Sequence, residues 1–190
     1  MNTLLNIMQV VLQTTGHIIN ALSQVLFFLL GYVYAIVLGH WVIQRVSNTI
    51  WDSNPLSKKI RLTGNTPQFV GFLERGLYVA SFQVQRPEFI AAWLVLKAAG
   101  NWKGWEGSIN SQKDIENYTG AQSIGRYIYN AFLIGTGLSL AYGVVGWLMI
   151  KYLQDHKIVL GFGIPIIFYS STELFYAVIR HYHKKLIITE

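Results

Sequence analysis

The chain has no cysteine among its 190 residues and only four prolines. Disulfide bonds and thiolate metal sites are therefore excluded. Charged residues are also scarce, at 13% of the chain, whereas a typical soluble domain has about 25%. Hydrophobic residues make up 52%, more than a soluble core of this size can bury. The low charge indicates that much of the surface faces an apolar environment.

The charge-free positions are concentrated in three long runs. Residues 1–44 and 127–150 contain no Asp, Glu, Lys or Arg, and residues 158–179 contain only Glu173. A helix needs about 20 residues to cross a hydrocarbon core, so each run is long enough to span a membrane. The sequence predicts an all-α, multi-pass transmembrane protein that forms a single integral membrane domain. Its full spans are predicted at 21–43, 127–150 and 158–179.

A fourth apolar region, residues 67–102, is interrupted by Pro87 and predicts a helical hairpin. The first helix of the hairpin is expected to end near Val84. The second begins at Pro87, a favourable first helical position, and is expected to end near Gly100. Its length of about 20 Å is short for a full crossing. The hairpin is therefore predicted to be re-entrant, to lie in the cytoplasmic interface, or to cross the membrane twice.

The distribution of Lys and Arg predicts the side of each loop, because cytoplasmic loops are enriched in both residues. If residues 67–102 cross once, each side holds six basic residues and shows no bias. If this region returns to its starting side, the first loop, residues 97–126 and the C-terminal tail together hold eleven, against two or three opposite. We therefore expect an integral protein of a bacterial inner membrane, with an outer N-terminus and a cytoplasmic C-terminus.

Seven uncharged polar residues near the N-terminus are spaced 4, 3, 4, 4, 3 and 4 residues apart, which places them on one helix face. This amide stripe consists of Asn2, Asn6, Gln9, Gln13, His17, Asn20 and Gln24. Three interpretations fit the pattern. The stripe belongs to an amphipathic helix over residues 1–20 on the outer leaflet, it forms polar contacts between membrane helices, or it lines a pore made by several copies.

Small residues recur every four positions in the second predicted span, at Ala131, Gly135, Ser139 and Gly143. This spacing is typical of a helix-packing groove, because small side chains let a second helix backbone approach closely. The groove predicts a tight helix pair, whose partner helix belongs either to the same chain or to another copy.

Five charged residues are predicted to lie within the apolar regions: Glu74, Arg75, Arg86, Glu88 and Glu173. A charge inside a membrane is costly and usually faces protein or water, so each is a candidate functional residue. Glu173 and Arg75 are expected at a similar depth near the cytoplasmic side. The sequence therefore predicts an ion pair between Glu173 and a hairpin arginine, Arg75 in preference to Arg86.

The sequence has no phosphate-binding glycine loop, HExxH motif or nucleophile elbow, and we expect no enzymatic activity. We also expect no metal, no cofactor and no nucleic-acid partner. The leading hypothesis is a small homo-oligomeric protein of the lipid bilayer that conducts ions or alters membrane permeability. The alternative is an accessory or sensor subunit that anchors a cytoplasmic protein partner through its basic inner face. A membrane enzyme acting on lipid ranks third.

Overall fold

The computed structural model describes residues 2–52, 66–110 and 121–188, and every element in these ranges is helical. The all-α prediction is confirmed for this part of the chain. The chain order is α1 (Asn2–Val33), a π-helical segment (Tyr34–Leu38), α2 (Gly39–Asp52), α3 (Thr66–Gln83), α4 (Glu88–Asn110), α5 (Ala121–Gln154) and α6 (Ile158–Ile188). The first three elements follow one another without a break, and we call them together the first helix.

Within the described ranges, three helices are long and apolar enough to cross a membrane: Asn6–Thr49, Phe132–Gln154 and Ile158–His181. They overlap the three predicted spans and are compatible with an integral membrane protein. The first is 44 residues long, which corresponds to about 66 Å of helix. Because a hydrocarbon core is about 30 Å thick, only part of this helix can lie inside a membrane that the other two helices cross.

Helix α5 lies at the centre of the bundle, and glycines allow other helices to approach it closely. α1 runs antiparallel to α5, where a Cβ atom added to Gly146 would lie 2.7 Å from the carbonyl oxygen of Gly31. α3 runs parallel to α5, where a Cβ added to Gly143 would lie 2.6 Å from the Cβ of Tyr78. Backbones approach this closely only where the side chain is absent.

Helix α6 returns antiparallel to α5 and packs beside the first helix. The Tyr34 hydroxyl donates to the carbonyl oxygen of Pro165 at 2.9 Å, and the hydroxyls of Tyr142 and Thr172 lie 3.0 Å apart. Tyr142 is fully buried and packs edge-on against Phe168. These contacts belong to a buried core that also includes Val42, Val46, Val145, Met149 and Leu153.

The first helix projects beyond the bundle at the end where the two tight turns lie. Phe82 stacks on Trp147, and Gly31 lies against Ile150, so the turns at 84–87 and 155–157 are level with the part of α1 near Gly31. Residues 2–26 therefore extend past the turns by about 37 Å. Every side chain from residue 6 to residue 22 is exposed. One helix runs from the predicted segment 1–20 into the predicted span 21–43.

The α3–α4 hairpin agrees with its prediction at one helix end and corrects it at another. α3 ends at Gln83, beside the predicted Val84. α4 continues through Gly100 to Asn110, and its 23 residues give about 35 Å of helix. The predicted end at Gly100 is wrong, because a single glycine weakens a helix by only about 1 kcal/mol and does not by itself end it.

Both tight turns contain a left-handed residue that is not glycine. Gln85 has φ 57° and His156 has φ 58°. The next amide closes back on the preceding helix in each case: Arg86 N–H donates to the Ser81 carbonyl and Lys157 N–H to the Tyr152 carbonyl, both at 2.8 Å. This is the Schellman helix ending, in which glycine usually occupies the left-handed position because it avoids steric strain.

Candidate functional site

Helix α3 buries two adjacent charged residues inside the bundle. Glu74 and Arg75 are each 1% exposed, and Tyr78 and Ser81 follow them on α3 with almost no exposure. Glu74, Tyr78 and Ser81 are four and three residues apart, so they share a helix face. With their neighbours from α4 and α5, these residues form what we call the polar cluster: Glu74, Arg75, Tyr78, Ser81, Trp93, Lys97, Thr136 and Ser139.

The Glu74 carboxylate is held by two residues of α4. Lys97 Nζ lies 2.5 Å from Glu74 Oε1, and Trp93 Nε1 donates to the same oxygen at 3.3 Å. Lys97 and Trp93 are four residues apart and therefore share a face of α4. Lys97 Nζ also donates to Thr136 Oγ1 of α5 at 2.8 Å. This chain of contacts connects α3, α4 and α5 through one carboxylate and one ammonium group.

The Arg75 guanidinium is buried without a carboxylate partner among the described residues. Its Nη1 donates to Ser139 Oγ at 3.4 Å, and its Cζ lies 5.4 Å from the centre of the Phe72 ring. Its Nε and Nη2 find no hydrogen-bond partner in the described ranges. The charged members of the polar cluster are Glu74, Arg75 and Lys97, and Glu74 pairs with Lys97. Arg75 is therefore a buried positive charge that nearby residues compensate only in part.

Two glycines make room for the Arg75 side chain. A Cβ added to Gly39 would lie 2.9 Å from Arg75 Cδ, which is too close for any side chain to fit without movement. A Cβ added to Gly71 would lie 3.4 Å from Arg75 Nη1. The arginine thus lies between the first helix and α5, and its guanidinium is directed back along α3.

Two further polar atoms of the cluster are buried without a partner in the described part of the chain, the Tyr78 hydroxyl and the Ser81 hydroxyl. Buried polar groups in native proteins almost always bond to protein or water, so atoms like these mark places where water or a ligand contributes. Together with Arg75 they extend the polar face of α3 over about 10 Å. The cluster is a group of buried polar side chains inside a mostly apolar bundle.

Glu173 does not pair with either predicted arginine. It lies 3.4 Å from Arg45 Nη1, and both side chains are partly exposed. The Arg45 guanidinium also stacks over the Trp41 ring at 3.3 Å. The predicted pair with Arg75 is wrong, because α6 packs beside α2 at this level, where Thr49 meets Tyr176, while Arg75 faces α5.

The remaining two predicted charges lie in the α3–α4 turn. Arg86 Nη1 is 3.2 Å from Glu88 Oε1, and both side chains are more than half exposed. Exposed pairs of this kind contribute little to stability. The five predicted intramembrane charges therefore fall into three groups, of which only Glu74 and Arg75 are fully buried.

The predicted groove on α5 makes contacts within this chain along part of its length. Ser139 is buried and accepts a hydrogen bond from Arg75, and Gly143 contacts Tyr78. A Cβ added to Gly135 would meet no described atom within 4 Å, and the side chain of Ala131 lies outside the described residues. Gly146 also lies at a close helix contact, with Gly31 of α1, and the four-residue spacing does not include it.

The described side chains of the amide stripe, from Asn6 to Gln24, are all exposed. Gly31 is seven residues after Gln24 and eleven after Asn20, so it shares their helix face. Gly31 packs against α5. The stripe therefore lies on the side of the first helix that faces its own bundle, above the level of the tight turns.

Sequence reasoning missed the partners that complete the polar cluster. A helix that ended near Gly100 would have placed Lys97 in its last turn, whereas Lys97 lies within α4 and is largely buried. A lysine that follows nine residues with Glu88 as their only charge is a signal that could have identified it, because such a lysine needs a partner. In the described ranges no group of three or more His, Asp or Glu residues could hold a metal ion.

Comparison with known proteins finds no matching protein-family model, no matching curated sequence and no matching solved structure.

Proposed function

We propose that this chain is the protomer of a homo-oligomeric membrane protein that conducts ions, and that the ions pass through the polar cluster between α3, α4 and α5. The observation that carries the proposal is Arg75, a charge that is 1% exposed inside an apolar bundle and has no carboxylate partner in the described ranges. Charged residues at membrane depth are costly and usually belong to ion or substrate pathways.

The proposal includes a hairpin that crosses the membrane twice. α3 and α4 measure about 27 Å and 35 Å, close to the thickness of a hydrocarbon core. α3 lies alongside α5 at Tyr78 and Gly143, near the middle of the apolar segment Phe132–Gln154. With the first helix, α5 and α6, this gives five crossings. The N-terminus is then outside and the C-terminus cytoplasmic, in agreement with the distribution of basic residues.

The charges of the cluster favour anions. Lys97 and Arg75 are two cations, and Glu74 is the only carboxylate within ion-pair distance of either among the described residues. Arginine stays protonated in proteins, so the positive charge of Arg75 is permanent. An anion that enters the polar cluster would compensate the charge of Arg75, whereas a cation would be repelled by it. We therefore propose chloride or a similarly small anion as the conducted species.

The amide stripe is a weaker candidate for the pathway. Its face continues into Gly31, which packs against α5. In a ring of first helices with all stripes turned inward, the bundles would lie on the central axis and obstruct the path. The stripe is better suited to face water beside the outer ends of α3, α4, α5 and α6.

Flux measurements on purified protein in proteoliposomes test the proposal. Vesicles loaded with a chloride-quenched dye should show chloride entry above that of protein-free vesicles. Arg75→Gln should remove most of this flux, while Arg86→Gln, which changes an exposed turn arginine, should preserve it. Wild-type protein that passes neither chloride nor potassium would contradict conduction. Silence together with co-purification of a cytoplasmic protein would favour the accessory-subunit alternative.

A further inference from the structure

We propose that the projecting part of the first helix binds the same segment of other copies of this chain through a heptad seam. The seam consists of residues spaced alternately four and three apart: Leu4, Met8, Val11, Thr15, Ile18, Leu22, Val25 and Leu29. Apolar residues with this spacing over more than three heptads are the pattern of a coiled coil. The proposal rests on the homo-oligomeric part of the proposed function and does not depend on conduction.

From Met8 to Leu29 the seam is available to a partner. Met8, Val11, Ile18, Leu22, Val25 and Leu29 are each between 54% and 65% exposed, which for side chains on a helix means that no described element covers them. At 100° per residue the seam lies roughly 180° from the amide stripe. One face of the projecting helix is therefore polar, and the opposite face is an apolar row that only Thr15 interrupts. An exposed apolar row of this length marks an interaction site.

Three observations identify the partner as a second copy of this chain. Residues 1–44 contain no charged side chain, so identical segments meet without like-charge repulsion, and a charged partner would find no complementary charge. Copies in one membrane share one orientation, which makes their first helices parallel and level. The seam also continues to Leu29, on the outer surface of the bundle, so the contact can run from the projecting segment into the membrane.

Lipid is a poorer occupant for most of the seam. The projecting segment extends about 37 Å past the turns at 84–87 and 155–157, where the exposed Asp155 and Lys157 lie. Charged residues at helix ends indicate the membrane surface, so in the proposed topology residues 2–26 would lie beyond that surface on the outer side. An uncovered helix of this composition is marginally stable in water, and association with other copies would stabilise it.

The residue types along the seam predict more than two copies. Side chains that are not β-branched occupy three of the four places of one heptad position, at Met8, Leu22 and Leu29, and Thr15 occupies the fourth. β-branched side chains occupy three of the four places of the next position, at Val11, Ile18 and Val25, and Leu4 occupies the fourth. Leu-type residues at the first core position with Ile-type residues at the second favour three or four strands over two. The assembly is therefore expected to contain three or four chains.

Single-cysteine crosslinking in native vesicles tests the contact, and the absence of natural cysteine makes the experiment clean. Val11→Cys, Ile18→Cys and Leu22→Cys should form disulfide-linked pairs on oxidation, several-fold more than Gln13→Cys and Asn20→Cys on the opposite face. Stronger crosslinking at Gln13 and Asn20 would overturn the seam. So would an absence of crosslinks, whether the cysteines react with a water-soluble maleimide or are shielded from it by lipid.

A charge substitution with a matched control tests the assembly itself. Leu22→Glu places a carboxylate in the seam, and Gln24→Glu places one in the stripe two residues away. In nanodiscs the first variant should fall to the mass of a single chain, while wild type and the second variant retain three or four copies. Equal behaviour of both variants would overturn the proposal, and two copies with seam-specific crosslinks would support the contact but refute the predicted number. Intact seam crosslinks without ion flux would contradict conduction alone.

Discussion

Lys97 Nζ lies 2.5 Å from Oε1 of Glu74, so the two helices of the hairpin are joined by an ion pair inside the bundle. Arg75, the next residue along α3, has no ion pair in the described ranges. Its guanidinium is still close enough to the Glu74 carboxylate for an electrostatic interaction. The three charges are therefore coupled, and removal of one changes the surroundings of the other two.

The coupling predicts unequal effects of the two single substitutions at the ion pair. Glu74→Gln removes the carboxylate that pairs with Lys97 and lies near the buried Arg75, and should reduce the free energy of unfolding by about 3–5 kcal/mol. Lys97→Met leaves Glu74 beside Arg75, which can compensate it, so the loss should be smaller. Denaturant titration of the detergent-solubilised protein measures both. Arg86→Gln is the control, and equal losses for the two variants would show that Arg75 and Glu74 do not interact.

The selectivity of conduction should depend on Arg75. Arg75→Gln removes the excess positive charge of the cluster, and we expect the ratio of chloride to potassium permeability to fall on the order of tenfold, equivalent to about 1.4 kcal/mol. Ser139→Ala removes only the hydrogen bond to Nη1 and should have a smaller effect. Reversal potentials in planar bilayers give the ratio directly. A ratio unchanged in Arg75→Gln would place the pathway elsewhere.

The two glycines of the predicted groove should differ in their tolerance of a side chain. Gly143→Leu would meet the Cβ of Tyr78 and should destabilise the fold by about 1–3 kcal/mol or more. A Cβ added to Gly135 meets no described atom within 4 Å, so Gly135→Leu should leave the folding of the single chain unaffected. Thermal unfolding in detergent distinguishes the two. If Gly135→Leu folds normally and yet lowers the mass of the oligomer, the part of the groove around Gly135 is a contact between copies.

The turn residues in the left-handed conformation should respond to glycine. His156→Gly and Gln85→Gly remove the steric strain of a side chain at positive φ, and each should raise the free energy of unfolding by about 1 kcal/mol. Asp155→Gly, one position earlier and at negative φ, should instead lower it slightly, because glycine adds freedom to the unfolded chain. Paired denaturant titrations of these variants provide the test. A loss of stability in both left-handed variants would contradict the strain argument.

The topology can be tested by reporter fusions. Fusions after Ser53, Gln112 and Glu190 should report a cytoplasmic location, and a fusion after Asp155 an external one. The fusion after Gln112 is decisive, because it reads external if the hairpin crosses only once. All three cytoplasmic insertion points lie outside the described residues, so the prediction depends on the distribution of Lys and Arg.

The sequence was sufficient to predict the helices because the evidence for them is local. An uncharged run long enough to span a membrane leaves few alternatives, and the spans predicted at 127–150 and 158–179 lie within or close to α5 and α6. Val84 was predicted as a helix end for the same reason, since the polar sequence after it interrupts the run. The helix end predicted at Gly100 was wrong because that prediction depended on a single residue. The helix continues to Asn110, since one glycine only weakly disfavours helix.

The partners of charged residues could not be predicted in the same way. Depth along the membrane follows from sequence position, and on depth alone Arg75 and Arg45 are both suitable partners for Glu173. The choice depends on which helix lies next to α6, and this is decided by side-chain packing around Tyr142 and Tyr34. The polar cluster was found only in part for the same reason, because Lys97 and Glu74 are adjacent only after the hairpin folds.

The π-helical segment Tyr34–Leu38 lies between the projecting seam and Gly39, the residue that makes room for Arg75. A π turn contains about one residue more than an α turn. The π-helical segment therefore sets the angle between the faces of α1 before it and the faces of α2 after it. Deletion of one residue there would rotate the projecting segment by about 100° relative to Gly39. The first helix is continuous from the seam to Gly39, and the π-helical segment sets the rotation of one part relative to the other. A rotation of the seam by contact with neighbouring copies would therefore also rotate the backbone at Gly39, beside the buried Arg75.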